Sequence, residues 1–229
     1  MDAVKGMFYA VGVGPGDPMW MTREACAVLE ACPVIAAPQT ASGQMLALSI
    51  ARQAVELSKK TILPLSFAMQ RDKAAREASY RAAARKIEES LSRGEDVAMV
   101  NLGDVSIYAT AYYILDIVRA DGYETEMVSG VASFSAVAAR LNESLTEMDQ
   151  PLHILPGHCD LDEALLLPGT KVLMKSGKAI HEAVRALERR GLLDRAALVA
   201  DCGLPTEQVY TDLRALPDEL SYFATIIVH

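Results

Sequence analysis

Residues 97–108 read VAMVNLGDVSIY, and this stretch decides the fold. Val97 to Leu102 is an almost unbroken apolar run, as a strand covered on both faces requires. It closes on Gly103-Asp104 and feeds a helical pattern over Ile107–Asp121. There Ile107, Ala111, Ile114, Leu115 and Val118 share one side, and Gly122 supplies the stop. A charged helix, Ala74–Ser92, precedes the run and ends at Gly94. Helix, buried strand, glycine turn and helix in that order belong to a parallel sheet with helical crossovers.

The same rhythm extends outward. Strands are expected at Met7–Val13, Val34–Ala37, Thr61–Leu63 (stopped by Pro64) and Glu124–Val128, with helices at Thr22–Cys32 and Met45–Ala54. Five short strands joined by helices predict a parallel sheet. Ligands of such sheets bind at the carboxyl ends of the strands, which singles out the loops after Val13 and Leu102. The second half differs. Strands are expected at Leu152–Leu155, Lys171–Met174, Ala196–Cys202, Gln208–Asp212 and Ser221–Val228, with an amphipathic helix at Ala179–Arg190 ended by Gly191. Connections among the last three strands are too short for crossovers, so antiparallel pairing is expected there. The fold class is therefore α/β, with an N-terminal α/β domain over residues 1–130 and a C-terminal α+β domain over 131–229, joined near Ser129–Ser133.

Composition narrows the function classes. The chain has 229 residues, is 51% hydrophobic and carries a formal charge of −8, which argues against a broad nucleic-acid surface. No apolar run approaches about 18 residues, so no membrane span is expected. The start of the chain lacks the basic and apolar regions of a secretory signal. Cys26, Cys32, Cys159 and Cys202 form no CxxC pair and read as reduced thiols of a cytoplasmic protein. The histidines are His153, His158, His181 and His229; His158-Cys159-Asp160 lacks a second ligand pair, so no metal site is expected.

Three loops could carry chemistry. The first is Gly12-Val13-Gly14-Pro15-Gly16-Asp17-Pro18. Its spacing is GxGxG rather than GxGxxG, and two prolines remove amide donors, which weakens a phosphate-cradle reading. It is either a tight strand-to-helix turn or a rigid wall against a flat ligand. The second is Leu102-Gly103-Asp104-Val105-Ser106-Ile107-Tyr108, where Ser106 could cap the next helix. The third, Ser129-Gly130-Val131-Ala132-Ser133-Phe134-Ser135, places Ser133 as an N-cap and by itself reads as structural.

Together, GVGPGDP, LGDVSIY and SGVASFS resemble, in order and separation, the loops of the tetrapyrrole (corrin/porphyrin) methylase family. LMKSG, DCGLPTE and ATIIV continue the resemblance to the end of the chain. GDVSIYATAYYI and SGVASFSAVAARL look closest to the precorrin-2 / cobalt-factor II C20-methyltransferases. Val105, Ser129 and Ala132 depart from the family, where proline, proline and threonine are frequent.

The resemblance implies two α/β domains, the first with a five-stranded parallel sheet and the second with a mixed sheet, and a ligand cleft between them. It implies a homodimer that transfers a methyl group from S-adenosylmethionine to a tetrapyrrole in cobalamin biosynthesis. Carried over, the cofactor residues are Pro15, Leu102, Gly103, Asp104, Ile107, Ala132, Ser133, Met174, Gly203, Ala224 and Thr225. The first loop would line the substrate trough through Gly12, Gly14, Gly16 and Asp17, joined by Tyr108 and Tyr112 from the next helix. The alternative for these two tyrosines is aromatic core packing. Asp104 is the candidate catalytic carboxylate, which would orient the cofactor, offset its sulfonium charge or assist deprotonation. A polycarboxylate substrate on a net-negative protein needs local cations; the candidates are Arg23, Arg71, Lys73, Arg76 and Lys175. Two other readings stay open: a methylase of the same family acting elsewhere on the ring, and a non-catalytic nucleotide-binding regulatory module.

Overall fold

The computed structural model describes residues 4–67, 72–157 and 159–229; Arg71 and His158 lie outside them. The chain divides into two compact units, Met1–Ala132 and Ser133–His229.

The first unit runs β1 (Phe8–Gly12), α1 (Arg23–Ala31), β2 (Val34–Gln39), α2 (Leu46–Ala54), β3 (Thr61–Ser66), α3 (Lys73–Leu91), β4 (Val97–Asn101), α4 (Thr110–Ala120) and β5 (Thr125–Val128). All five strands are parallel, in the order β3-β2-β4-β1-β5. Every residue of β4 is buried, as its apolar sequence demands. Thr22 starts α1 by accepting from the Ala25 amide at 3.1 Å, and Asp72 starts α3 by accepting from the Ala75 amide at 3.0 Å. The stripe Ala111, Ile114, Leu115 and Val118 of α4 is fully buried against Phe8, Met99 and Ile87. Truncating such a side chain, Leu115 for instance, costs about 2–5 kcal/mol.

The second unit runs α5 (Ser133–Leu141), β6 (Leu152–Pro156), α6 (Leu161–Ala164), β7 (Thr170–Met174), α7 (Ile180–Arg189), β8 (Ala196–Ala200), β9 (Gln208–Tyr210) and β10 (Ala224–Val228). Its sheet is mixed, in the order β6-β7-β10-β8-β9. β6 and β7 pair in parallel, and the other neighbours are antiparallel. Two α/β units, one with a parallel and one with a mixed five-stranded sheet, are what the sequence leads one to expect.

Several expectations are corrected. β3 continues through Pro64 to Ser66. It is an edge strand, paired only with β2, and an edge leaves room for a residue that cannot donate to the ladder. α4 begins at Thr110 rather than Ile107, and Ser106 does not cap it. Asp104 captures the Ser106 amide and hydroxyl in a local turn that competes with helix, and Tyr108 follows with φ +49°. β8 ends at Ala200 because Asp201 turns left-handed at φ +52°. β9 stops at Tyr210, since Asp212 caps the next turn by accepting from the Arg214 amide at 3.0 Å. β10 starts at Ala224, because the Ser221 hydroxyl donates to Asp201 instead of extending the strand.

Candidate functional site

In the first unit the strand order reverses at β1 and β4. The connection from β1 leaves toward β2 and the one from β4 toward β5. A parallel sheet opens a crevice at such a switch point, beyond the carboxyl ends of the two strands. Those ends carry GVGPGDP and LGDVSIY. The two loops are stitched together by a two-residue bridge. The Gly103 amide donates to the Gly14 carbonyl at 2.8 Å, and the Gly14 amide donates to the Gly103 carbonyl at 3.3 Å.

The third loop, after β5, packs on the first two through bare backbone. A Cβ on Gly12 would lie 2.6 Å from the Gly130 nitrogen and 2.7 Å from the Gly103 oxygen. A Cβ on Gly130 would lie 2.3 Å from the Gly103 oxygen. No side chain fits at either place. Gly103 differs: it holds φ +75°, and a Cβ there would meet nothing within 4 Å. The space ahead of Gly103 is open, although the residue itself is buried.

Asp104 binds the second loop to the third. One carboxylate oxygen accepts from the Ser106 amide at 2.8 Å and from the Ser106 hydroxyl. The other accepts from the Gly130 amide at 2.8 Å. Asn101, 8% exposed at the end of β4, braces the turn by donating to the Leu102 carbonyl at 2.9 Å and the Asp104 carbonyl at 3.4 Å. Thr22 adds a bond to the Ser129 carbonyl at 3.2 Å. Thus Gly12, Gly14, Gly103, Asp104 and Gly130 meet at one place.

The other expected residues of this unit surround that cluster less tightly. Pro15 and Gly16 are buried in the first loop, and Leu102, Ile107 and Ala132 are half-buried. Asp17 is engaged locally, accepting from the Met19 amide at 2.8 Å. Tyr108 and Tyr112 are 41% and 43% exposed, which overturns core packing for both. Tyr108 precedes α4 instead of lying within it. Arg23, Lys73 and Arg76 are exposed, and Lys73 pairs with Glu77 at 3.7 Å.

In the second unit, Met174 ends β7 opposite Thr225 of β10, and Ala224 lies opposite Ala200 of β8. All four are buried. Gly203 follows β8 in a left-handed turn at φ +82°. Ser133 is the first residue of α5, half-buried. Lys175, φ +55°, comes directly after Met174; it is exposed, and partial desolvation of its ammonium pushes its pKa down.

Three residues were not singled out from the sequence. Asn101 was visible as a polar break in an apolar run. Ser176 is 5% exposed, and its hydroxyl has no hydrogen-bond partner. Glu207 accepts from the Gly203 amide at 2.7 Å. Among the described residues no group of three or more His, Cys, Asp or Glu side chains is placed to hold a metal, and no helix is long and apolar enough to cross a membrane.

Comparisons with known proteins identify the family and the fold. The sequence model of the Tetrapyrrole (Corrin/Porphyrin) Methylases matches residues 7–217. The chain is 30% identical to a cobalt-precorrin-2 C(20)-methyltransferase of Salmonella typhimurium, over 99% of this chain and 97% of that one. It is 33% identical to a probable cobalt-precorrin-2 C(20)-methyltransferase of Methanocaldococcus jannaschii, over 82% of each. Among solved structures, a cobalt precorrin-4 methyltransferase superposes with a TM-score of 0.76 at 18% identity, covering 97% of this chain and 94% of that one. A uroporphyrin-III C-methyltransferase from Thermus thermophilus, complexed with S-adenyl homocysteine, gives 0.67 at 19% identity, covering 97% of each.

Proposed function

The chain belongs to the tetrapyrrole (corrin/porphyrin) methylases, whose cofactor is S-adenosylmethionine, and from that premise we propose that it methylates precorrin-2 or cobalt-factor II at C20 in cobalamin biosynthesis. The position on the ring is supported by the near full-length likeness to proteins named for that reaction. The observation that carries the chemistry is the strand-tip cluster, in which Asp104 ties the third loop to the second and the Gly14–Gly103 bridge ties the first to it.

The residues present suit this cofactor. Gly103 offers backbone with free space before it, and Ser176 offers a buried hydroxyl with no partner, two residues beyond Met174. The cofactor contacts are assigned to Pro15, Leu102, Gly103, Asp104, Ile107 and Ala132 in the first unit. Those in the second unit are Ser133, Met174, Gly203, Ala224 and Thr225. When bound, S-adenosylmethionine supplies an electrophilic methyl group, so the protein needs no nucleophile of its own. The task left to the chain is alignment, which holds reacting carbons about 3–3.5 Å apart. The Asp104 clasp performs it by fixing Gly103 and Gly130 with respect to each other. Both oxygens of Asp104 are engaged by protein donors, so the carboxylate serves orientation before proton transfer. Tyr108 and Tyr112 present exposed rings that suit a flat macrocycle. A homodimer belongs to the same reading and is checked by light scattering.

The test is product mapping. The protein is incubated with methyl-labelled S-adenosylmethionine and either metal-free precorrin-2 or cobalt-factor II, and the label is located by NMR. Label at C20 is the expected result. Label on another carbon would move the enzyme elsewhere in the family, and no transfer to either compound would overturn the proposal.

A further inference from the structure

We propose that Glu207 is a positioning residue for the cofactor site, holding the Gly203 amide so that Gly203 keeps only its carbonyl for a ligand; this rests on the assignment of Gly203 to the cofactor above. Sequence alone marks Glu207 only as the last residue of DCGLPTE. In the structure its two carboxylate oxygens face different elements. One accepts from the Gly203 amide at 2.7 Å, and the other forms an ion pair with the Arg140 guanidinium, 2.7 Å from its Nε. The Glu207 side chain is only 18% exposed, so solvent competes weakly for these bonds. Arg140 lies in α5, the helix that Ser133 begins, so one carboxylate links the Gly203 turn to the helix of a second assigned cofactor residue.

The Gly203 amide is thereby engaged inside the protein. Its carbonyl is not: among the described residues no donor is bonded to it. The polar group left to Gly203 is an acceptor, which suits a hydroxyl or amino donor of a nucleoside. Glu207 also lies beside Cys202. Burial first, and then the negative charge of Glu207, push that thiol up to about 11. The thiol stays protonated and does not compete for the Arg140 guanidinium.

The turn has an independent anchor, which separates positioning from folding. Asp201, at φ +52°, accepts from the Thr206 hydroxyl at 2.7 Å and from the Ser221 hydroxyl. The Leu204 amide closes onto the Asp201 carbonyl at 2.8 Å. Loss of Glu207 therefore frees the Cys202–Gly203 peptide, which carries the Gly203 amide, to rotate, while the Leu204 amide keeps the turn closed.

The experiment measures binding of S-adenosylhomocysteine by calorimetry, KM and kcat for S-adenosylmethionine, and the Gly203 amide resonance. It compares the wild type with Glu207→Ala and Glu207→Gln. Glu207→Ala is expected to weaken binding about tenfold or more and to raise KM, with kcat held within about twofold, while the Gly203 resonance shifts. Glu207→Gln keeps a carbonyl oxygen for the Gly203 amide but turns an N–H toward Arg140, and should fall between. A folded Glu207→Ala protein that binds like the wild type would overturn the inference, as would a fall in kcat at unchanged KM. If Glu207→Ala does not fold, Glu207→Gln decides by the same readouts. A wild type that binds no S-adenosylhomocysteine would instead remove the cofactor assignment on which the inference stands.

Discussion

Replacing Asp104 by Asn separates a clasp from a base. The carboxylate accepts from the Ser106 amide and the Gly130 amide on opposite oxygens, each at 2.8 Å. An amide side chain has one acceptor oxygen and one donor nitrogen. Whichever way it turns, an NH2 group faces one of the two backbone N–H groups, and that group loses its partner. A hydrogen bond to a charged group contributes about 1.5–3 kcal/mol, and stranding a partly buried donor costs about 1–3 kcal/mol. Asp104 is half-buried, so a value near the lower end, about 2 kcal/mol, is appropriate for Asp104→Asn. For a chain of this size that corresponds to roughly 4–8 °C in Tm. Asp104→Ala strands both donors and should cost about twice as much. Scanning calorimetry measures the loss, and hydrogen exchange at the Gly130 amide locates it. A base acting only in chemistry would give another pattern: Asp104→Asn would fold with the wild-type Tm and Gly130 protection, yet lose turnover. That result would refute the clasp.

Other perturbations follow from the same geometry. Gly12→Ala forces a Cβ to within 2.6 Å of the Gly130 nitrogen and should destabilise the first unit by about 3 kcal/mol, read as a fall in Tm. Gly103→Ala meets no atom within 4 Å and should cost only about 1–2 kcal/mol for its φ of +75°, while S-adenosylhomocysteine affinity falls far more than Tm; equal losses would contradict the open face. Glu88 has its pKa raised by burial, then by Asp121, and its Oε1 has no partner. The folded state therefore holds that proton more tightly than the unfolded one, and stability falls as pH rises through the folded pKa. Glu88→Gln should raise Tm at neutral pH, by less than about 1 kcal/mol of stability because solvent and Arg81 screen the site, and should be neutral in acid; a gain that grows in acid would contradict it. Burial pushes the Cys32 thiol up to about 12 and the Cys202 thiol up to about 11. At pH 8 an alkylating reagent should modify Cys26 and Cys159 first, and Cys32 and Cys202 only after unfolding, as peptide mass mapping would show.

How much of this was legible before the structure depended on how local the governing physics is. The parallel sheet was legible, because full burial of β4 leaves a direct mark in the composition of VAMVN. The antiparallel end of the second sheet was legible from chain length alone, since residues 201–207 are too few for a crossover. Pro64 misled, because whether a proline ends a strand depends on which neighbour it lacks, and the edge position of β3 is a property of the whole sheet. The start of α4 misled because a side chain, Asp104, outcompeted the helix for the Ser106 amide. Propensity and periodicity do not register a bond of that kind. Of the site residues, the glycines and Asp104 stood out by loop position. Ser176 and Glu207 did not, because burial without a partner and a bond across a turn exist only in three dimensions.

The glycines of the first loop show how position and role can come apart. Alternate glycines suggest a surface made bare for a ligand, and the sequence offers no ground for treating them differently. The structure does. Gly12 and Gly130 are bare because backbone presses on them from Gly103 and from each other, so their missing side chains let three loops touch. Gly103 is bare in the opposite sense, with open space where a side chain would project. The first two explain why the loops after β1, β4 and β5 share one location, and the third explains what that location can receive. Asp104, the residue next to Gly103, then locks the arrangement by reaching Gly130. Three loops with little individual specificity thus become one site by steric necessity. Enlarging Gly12 or Gly130 should disturb all three loops together, whereas enlarging Gly103 should strain only its own left-handed backbone and obstruct what approaches from outside.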